Sequence, residues 1–128
     1  ALAPQEFPNL DVNPDHLALV QLGLNKASNE GGGTSFRHRI EIAGMEMAGK
    51  TGTTQVRRIT EQDRAMGLAN TASRPWHHRE HALFVGYAPV HAPRFVAAVL
   101  VEHGGSGGRV AAPVGRDVLL TAQQILTP

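Results

Sequence analysis

Cysteine is absent from the sequence, which excludes disulfides, thiolate metal sites and a cysteine nucleophile while fitting any redox compartment. A charge excess of one sign is also missing. Twelve Lys and Arg stand against eleven Asp and Glu, for a net charge of +1, and the basic residues form no block. A nucleic acid or an anionic membrane surface therefore lacks the electrostatic footprint it would need, and no nucleic-acid partner is expected. No apolar run approaches the ~20 residues that span a bilayer, and no signal-peptide pattern opens the chain. The first methionine is Met45, after an opening Ala1-Leu2-Ala3, so the chain reads as a piece of something longer.

What is present suits one folded unit. With 128 residues, 41% hydrophobic and 18% charged, and with Gly 14 and Pro 8, the composition is globular rather than disordered or collagen-like. Residues 1–13 carry Pro4 and Pro8 without helical period and read as an extended lead-in. Asn13-Pro14 then opens a helix to about Ser28, with Leu17, Val20, Leu24 and Ala27 expected to face a core. Asn29 to Gly33 ends it. The stretch Met45 to Val56 has β-type composition, Ala82 to Tyr87 and Phe95 to Val101 are dense apolar strands, and Pro89 to Arg94 between them is short enough for a hairpin. After a glycine loop around Ser106, the residues Ala111, Val114, Val118, Ala122 and Ile125 mark the expected inner face of a terminal helix. Clustered strands flanked by helices indicate an α+β fold with an antiparallel sheet. Between Val56 and His81 runs a long polar connection, with Thr60-x-x-Asp63 as a possible cap for a short helix over Glu61 to Ala69. Its length suggests a mobile flap with few buried contacts.

The chemistry-rich spot is Gly44 to Thr53, which satisfies two patterns. Gly44 through Thr51 matches the phosphate-binding loop G-x-x-x-x-G-K-[ST], making a nucleotide-binding module the alternative function. That loop must follow a buried strand and open a helix, whereas Phe36 to Glu41 is highly charged and Thr51 to Val56 is poor helix material. Lys50-Thr51-Gly52 is also the third signature of the serine penicillin-recognising enzymes. On an edge strand it puts an ammonium and a hydroxyl beside a carboxylate, and the glycine lets an acyl substrate lie against the backbone. Seven histidines include His77-His78-Arg79-Glu80-His81, which fits the zinc pattern H-x-x-E-H. The motif needs a helix to align its imidazoles, and Pro75 before it and an apolar strand after it argue against one, so no metal site is assigned. His103, just before the glycine loop, reads first as a strand end with its ring in solvent and otherwise as a residue at the rim of a cleft, and Trp76 and Tyr87 read as packing anchors.

Ala48 to Val56, then His81 to Pro89, then Val96 to His103 and Gly104 to Gly108 closely resemble the class B penicillin-binding proteins, the elongation-type peptidoglycan D,D-transpeptidases among them. Val12 to Thr34 is similar to the helix and Gly-Thr stretch that precede the Lys-Thr-Gly strand in that family. The resemblance implies that residues 1–128 are the C-terminal part of one penicillin-binding, β-lactamase-like transpeptidase domain. It implies that Lys50 and Thr51 hold the carboxylate of a stem peptide or β-lactam, that Gly52 and Thr53 line the acyl-binding edge, and that the Thr53 amide is one oxyanion-hole donor. The family's S-x-x-K and S-x-N motifs do not occur: Ser28, Ser35, Ser73 and Ser106 have no Lys three residues on, and Ser28-Asn29-Glu30 is no S-x-N. The nucleophile is therefore absent from this chain, which alone is expected to be inactive. The resemblance further implies no cofactor, a polytopic glycan polymerase as partner, and a parent anchored in the inner membrane and working at its periplasmic face. In the family the sheet has five strands, and Phe95 to His103 would pair with strands not present here. Without Pro or charge from Phe95 to Val101 to protect that edge, the fragment is expected to self-associate.

Overall fold

The computed structural model describes residues 8, 9, 11–56, 60–66 and 74–126. Among the described residues three helices and three strands follow one another as α1 (Pro14–Asn29), β1 (Ala48–Thr54), α2 (Glu61–Ala65), β2 (His81–Ala88), β3 (Phe95–Val101) and α3 (Ala112–Leu126). Single 3-10 turns lie at Phe36–His38 and Trp76–His78, and one wide π-type turn at Gly107–Ala111 leads into α3. The sheet is antiparallel in the order β1-β2-β3. Its register sets Lys50 opposite Val85 and Gly52 opposite Leu83, with Val85 opposite Ala98 and Leu83 opposite Leu100. Helix α1 starts where expected because Asn13 caps it: the Asn13 side-chain oxygen accepts from the Asp15 amide at 2.8 Å, and Pro14 occupies the first turn.

One sheet face is covered. Alternation in β2 buries Ala82, Phe84, Gly86 and Ala88. Phe84, fully buried, packs in a core with Met47, Ala97, Ala111, Ala112 and Leu119. Helix α3 approaches this ring closely because Gly115 has no side chain; a Cβ there would stand 2.3 Å from Phe84 Cδ1. The buried side of α3 is therefore Ala112, Gly115, Leu119 and Gln123. Val114, Val118 and Ile125, expected inside, are instead 46%, 51% and 72% exposed. The physical reason is that close packing on Phe84 selects small residues, and Gln123 is held there by its Nε2, which donates to the Met45 and Leu119 carbonyls at 3.1 and 3.2 Å, while its buried Oε1 has no partner among the described residues. The buried face is thus less hydrophobic than the outer one.

Helix α1 departs from expectation in the same way. Only its second half meets the sheet: Ser28 is buried and Leu24 and Ala27 half-buried, but Leu17 and Val20 remain 48% and 59% exposed. The expected long connection divides as well. Residues 57–59 and 67–73 lie outside the described residues, and α2 is shorter than the span to Ala69. The end of the connection is anchored: Arg74 and Glu80 form a buried ion pair, and the Glu80 carbonyl accepts from the Gly105 amide at 2.8 Å. Among the described residues no helix is long and apolar enough to cross a membrane.

Candidate active site

Strand β1 is an edge strand of the described sheet, and alternation sends its side chains to opposite faces. Lys50 and Gly52 share the face of Leu83 and Val85; Thr51 and Thr53 project to the other. Lys50 and Thr53 are exposed, Thr51 and Gly52 half-buried. The Lys50 ammonium folds back to donate to the Thr51 carbonyl at 2.7 Å, and none of the ion pairs among the described residues engages it. Its charge is thus left for an external anion. On the opposite face, Thr51 Oγ1 donates to Thr34 Oγ1 at 3.0 Å.

Three segments brace this strand from outside the sheet. Asn29, at the end of α1, donates through Nδ2 to the Met47 carbonyl at 2.8 Å. The turn carrying Thr34 is fastened to α1, since both the amide and the hydroxyl of Ser35 donate to the Ala27 carbonyl at 3.1 and 3.0 Å. The turn Gly107–Ala111 lies against β1 so closely that a Cβ on Gly107 would sit 2.2 Å from the Gly52 oxygen and 2.4 Å from the Leu83 oxygen, both backbone atoms. Gly108 would collide similarly with the Thr34 carbonyl, at 2.5 Å. These glycines are required by approach, and they bring the entry to α3, the Thr34 turn and the Lys-Thr-Gly strand together. Thr34 is the residue sequence reasoning passed over as part of a Gly-Thr stretch; only the hydroxyl pairing reveals it.

The H-x-x-E-H pattern does not keep the geometry it needs. Trp76–His78 is a single 3-10 turn, Arg79 is extended and His81 already begins β2, so H-x-x-E-H lacks its helix. Among the described residues no three His, Cys, Asp or Glu side chains converge as ligands. His103 is half-buried and packed rather than simply turned to solvent. With φ of 54° it turns back so that its amide donates to His81 Nδ1 at 2.9 Å, its own Nδ1 pairs with the Arg79 carbonyl at 3.1 Å, and its ring stands 4.4 Å from Trp76 and 4.8 Å from His81. Because His81 Nδ1 accepts, that imidazole carries its hydrogen on Nε2. Trp76 braces this cluster while staying 61% exposed, so it is no core anchor. Tyr87 is half-buried, and desolvation raises its pKa above the ordinary phenol value. A polar hollow of about 560 Å³, lined by residues such as Asn25, Arg39, Glu41 and His91, contains none of residues 50 to 53.

The phosphate-loop pattern fails on geometry. Gly44 to Met47 is irregular and the Lys and Thr that should open a helix lie inside β1. A terminal helix behind an antiparallel sheet, with Lys-Thr-Gly on an exposed edge strand, is the architecture of the serine enzymes that recognise penicillin. Residues 1–120 match the penicillin binding protein transpeptidase domain, and the chain belongs to that family. It is 34% identical over 123 residues to the peptidoglycan D,D-transpeptidase MrdA of Haemophilus influenzae, covering 92% of this chain and 18% of that protein. MrdA of Acinetobacter baumannii is 40% identical over 82 residues, 62% of this chain and 12% of that one. The fold superposes on Pseudomonas aeruginosa PBP2, solved in complex with WCK 5153, with a TM-score of 0.65 and 29% identity, over 98% of this chain and 23% of that chain. These are relatives of the penicillin-binding protein 2 type, as the sequence resemblance implied, and the α+β expectation holds. The chain spans less than a quarter of the length of each.

Proposed function

We propose that this chain is the C-terminal part of a peptidoglycan D,D-transpeptidase domain, and that residues 50 to 53 are its substrate-binding edge. The observation that carries the reading is the placement of Lys50-Thr51-Gly52-Thr53 on a braced edge strand, with the Lys50 charge unpaired among the described ion pairs. In the parent, a serine outside these 128 residues attacks the D-Ala-D-Ala carbonyl of a stem peptide. The C–N bond breaks, the terminal D-Ala leaves with the proton, and the acyl group passes to the amine of a second stem peptide. A β-lactam enters the same step and stays as the ester; penicillin-binding protein A of Mycobacterium tuberculosis, a structural relative at 28% identity and TM-score 0.59, is known as an imipenem acyl-enzyme complex.

Within that reaction Lys50 and Thr51 anchor the carboxylate. Lys50 does so from the opposite face of β1 by curling its long side chain round the strand edge, a reach that its contact with the Thr51 carbonyl supports. Gly52 leaves the backbone open to the acyl chain, and the Thr53 amide donates to the developing oxyanion. A preoriented donor of that kind contributes ~2.7–4 kcal/mol, and its companion is the amide of the absent serine. No cofactor is required. The parent is placed at the periplasmic face of the inner membrane, anchored by a segment outside this chain, with a polytopic glycan polymerase as partner. Helicobacter pylori PBP2, whose 22% identity and TM-score of 0.67 show the fold alone, has been solved with MreC. The bare edge of β3 makes self-association the expected behaviour of the chain in isolation.

The test is intact-mass measurement after incubation with penicillin. The full-length parent should gain one covalent adduct, and this chain alone none. Lys50→Ala in the parent should slow acylation about 10- to 100-fold, as expected for losing a charge-assisted contact of ~1.5–3 kcal/mol, without lowering the melting temperature. An adduct on the isolated chain, or wild-type acylation by Lys50→Ala, refutes the assignment.

A further inference from the structure

We infer that Thr34 is a positioning residue for substrate-carboxylate recognition, acting through the hydroxyl of Thr51. This rests on the reading of residues 50 to 53 as the carboxylate-binding edge.

In the free site the Thr51 hydroxyl donates to Thr34 Oγ1 at 3.0 Å. A hydroxyl has one proton and two acceptor positions. A carboxylate accepts only, so to bind it Thr51 must turn its proton away from Thr34. Left there, Thr51 would lose one partner to gain another. The Thr34 hydroxyl, itself a rotor, can reverse the bond and donate into Thr51 Oγ1, so the pair stays bonded while the Thr51 proton points at the anion. A hydroxyl that receives a hydrogen bond is also a better donor, because the two bonds polarise each other. Thr34 thereby fixes the position of the Thr51 oxygen before binding and strengthens Thr51 as a donor after binding.

The support around Thr34 is rigid on three sides. Gly33 packs where a Cβ would lie 2.4 Å from the Ala27 oxygen, Ser35 is tied to that same oxygen by amide and hydroxyl, and Gly108 closes on the Thr34 carbonyl. Gly108 stands near Thr51 too, a Cβ there being 3.7 Å from Thr51 Cγ2. Thr34 itself remains exposed, so its hydroxyl sits on a firmly held backbone yet is uncovered. A residue serving packing alone would not be held so tightly and left so uncovered.

The experiment uses the full-length parent with benzylpenicillin, resolving the acylation rate into the affinity of the non-covalent complex and the limiting rate of ester formation. Thr34→Val, which keeps the shape and removes the hydroxyl, should weaken the non-covalent affinity about tenfold and leave the limiting rate within twofold. Thr34→Ser should restore wild-type affinity. Combined with Thr51→Val, Thr34→Val should add no further loss. If Thr34→Val fails to fold, Thr34→Ala carries the same comparison. Wild-type affinity in the hydroxyl-free variant, a loss confined to the limiting rate, no rescue by Ser, or losses that multiply with Thr51→Val would each overturn the inference alone. A wild-type parent that forms no adduct overturns the transpeptidase reading and this inference with it.

Discussion

The two edges of the sheet are built in opposite ways. The β1 edge is held from three directions: by the Asn29 side chain at the end of α1, by the Thr34 hydroxyl, and by the glycine turn before α3, whose backbone approach leaves no room for a side chain. The β3 edge and its neighbouring face are bare: Val96 is 77% exposed, Leu100 58% and Val85 52%. Rigid backing is what a recognition strand needs, since a misplacement of ~1 Å at a reacting centre can cost ~100-fold in rate. An unpaired apolar edge is what a sheet shows where another strand belongs. Among the described residues the Lys-Thr-Gly strand is thus braced, whereas the outer face of β2 and β3 is uncovered.

The largest effect should come from disturbing the tightest approach. Gly107→Ala places a methyl group against the backbone oxygens of Gly52 and Leu83, neither of which can swing aside as a side chain would. We expect a destabilisation of about 3 kcal/mol, at the upper end for overpacking, read as a fall in the melting temperature of the parent. An unchanged melting temperature would mean that the turn before α3 does not brace β1.

The bare edge offers the complementary test. Val96→Lys with Leu100→Lys adds charge to exposed positions only and should leave stability within about 0.5 kcal/mol. In light scattering over a concentration series, the isolated chain should self-associate and the double variant should do so at least tenfold less tightly, because edge lysines block strand addition. A wild-type chain that remains monomeric at every concentration would show that three strands and their helices suffice without a neighbour.

How much of this was legible in the sequence follows the same division. Strand β3 was read at its observed limits and α1 within a residue, because Asn13-Pro14 and a Val-rich run bounded by polar residues are local signals. The Lys50 to Thr53 segment was found through its motif. The inner face of α3 was misread because periodicity follows hydropathy, whereas packing on Phe84 chose Gly115 and Ala112 for size. Likewise Leu17 and Val20 are apolar at helical spacing yet stay largely exposed among the described residues. The Thr34–Thr51 pair and the His81–His103 contact link residues 17 and 22 positions apart, and no local pattern announces such a meeting.

His81 provides the smallest and most selective test, because it starts the strand between the two edges and ties the turn after β3 to the segment before β2. Its Nδ1 accepts the His103 amide, in a turn where a non-glycine residue is held at φ of 54°. That conformation has an intrinsic cost, so the bond contributes both its own ~1 kcal/mol and the confinement of the turn. His81→Ala should lower stability by about 1 kcal/mol and release the His103 amide to hydrogen exchange. If the β1 edge depends only on the direct contacts of Gly107 and Gly108, amides of residues 50 to 53 should keep their wild-type protection. If they exchange faster together with His103, the two edges communicate through the His81 contact, and the bracing of the recognition strand extends across the sheet.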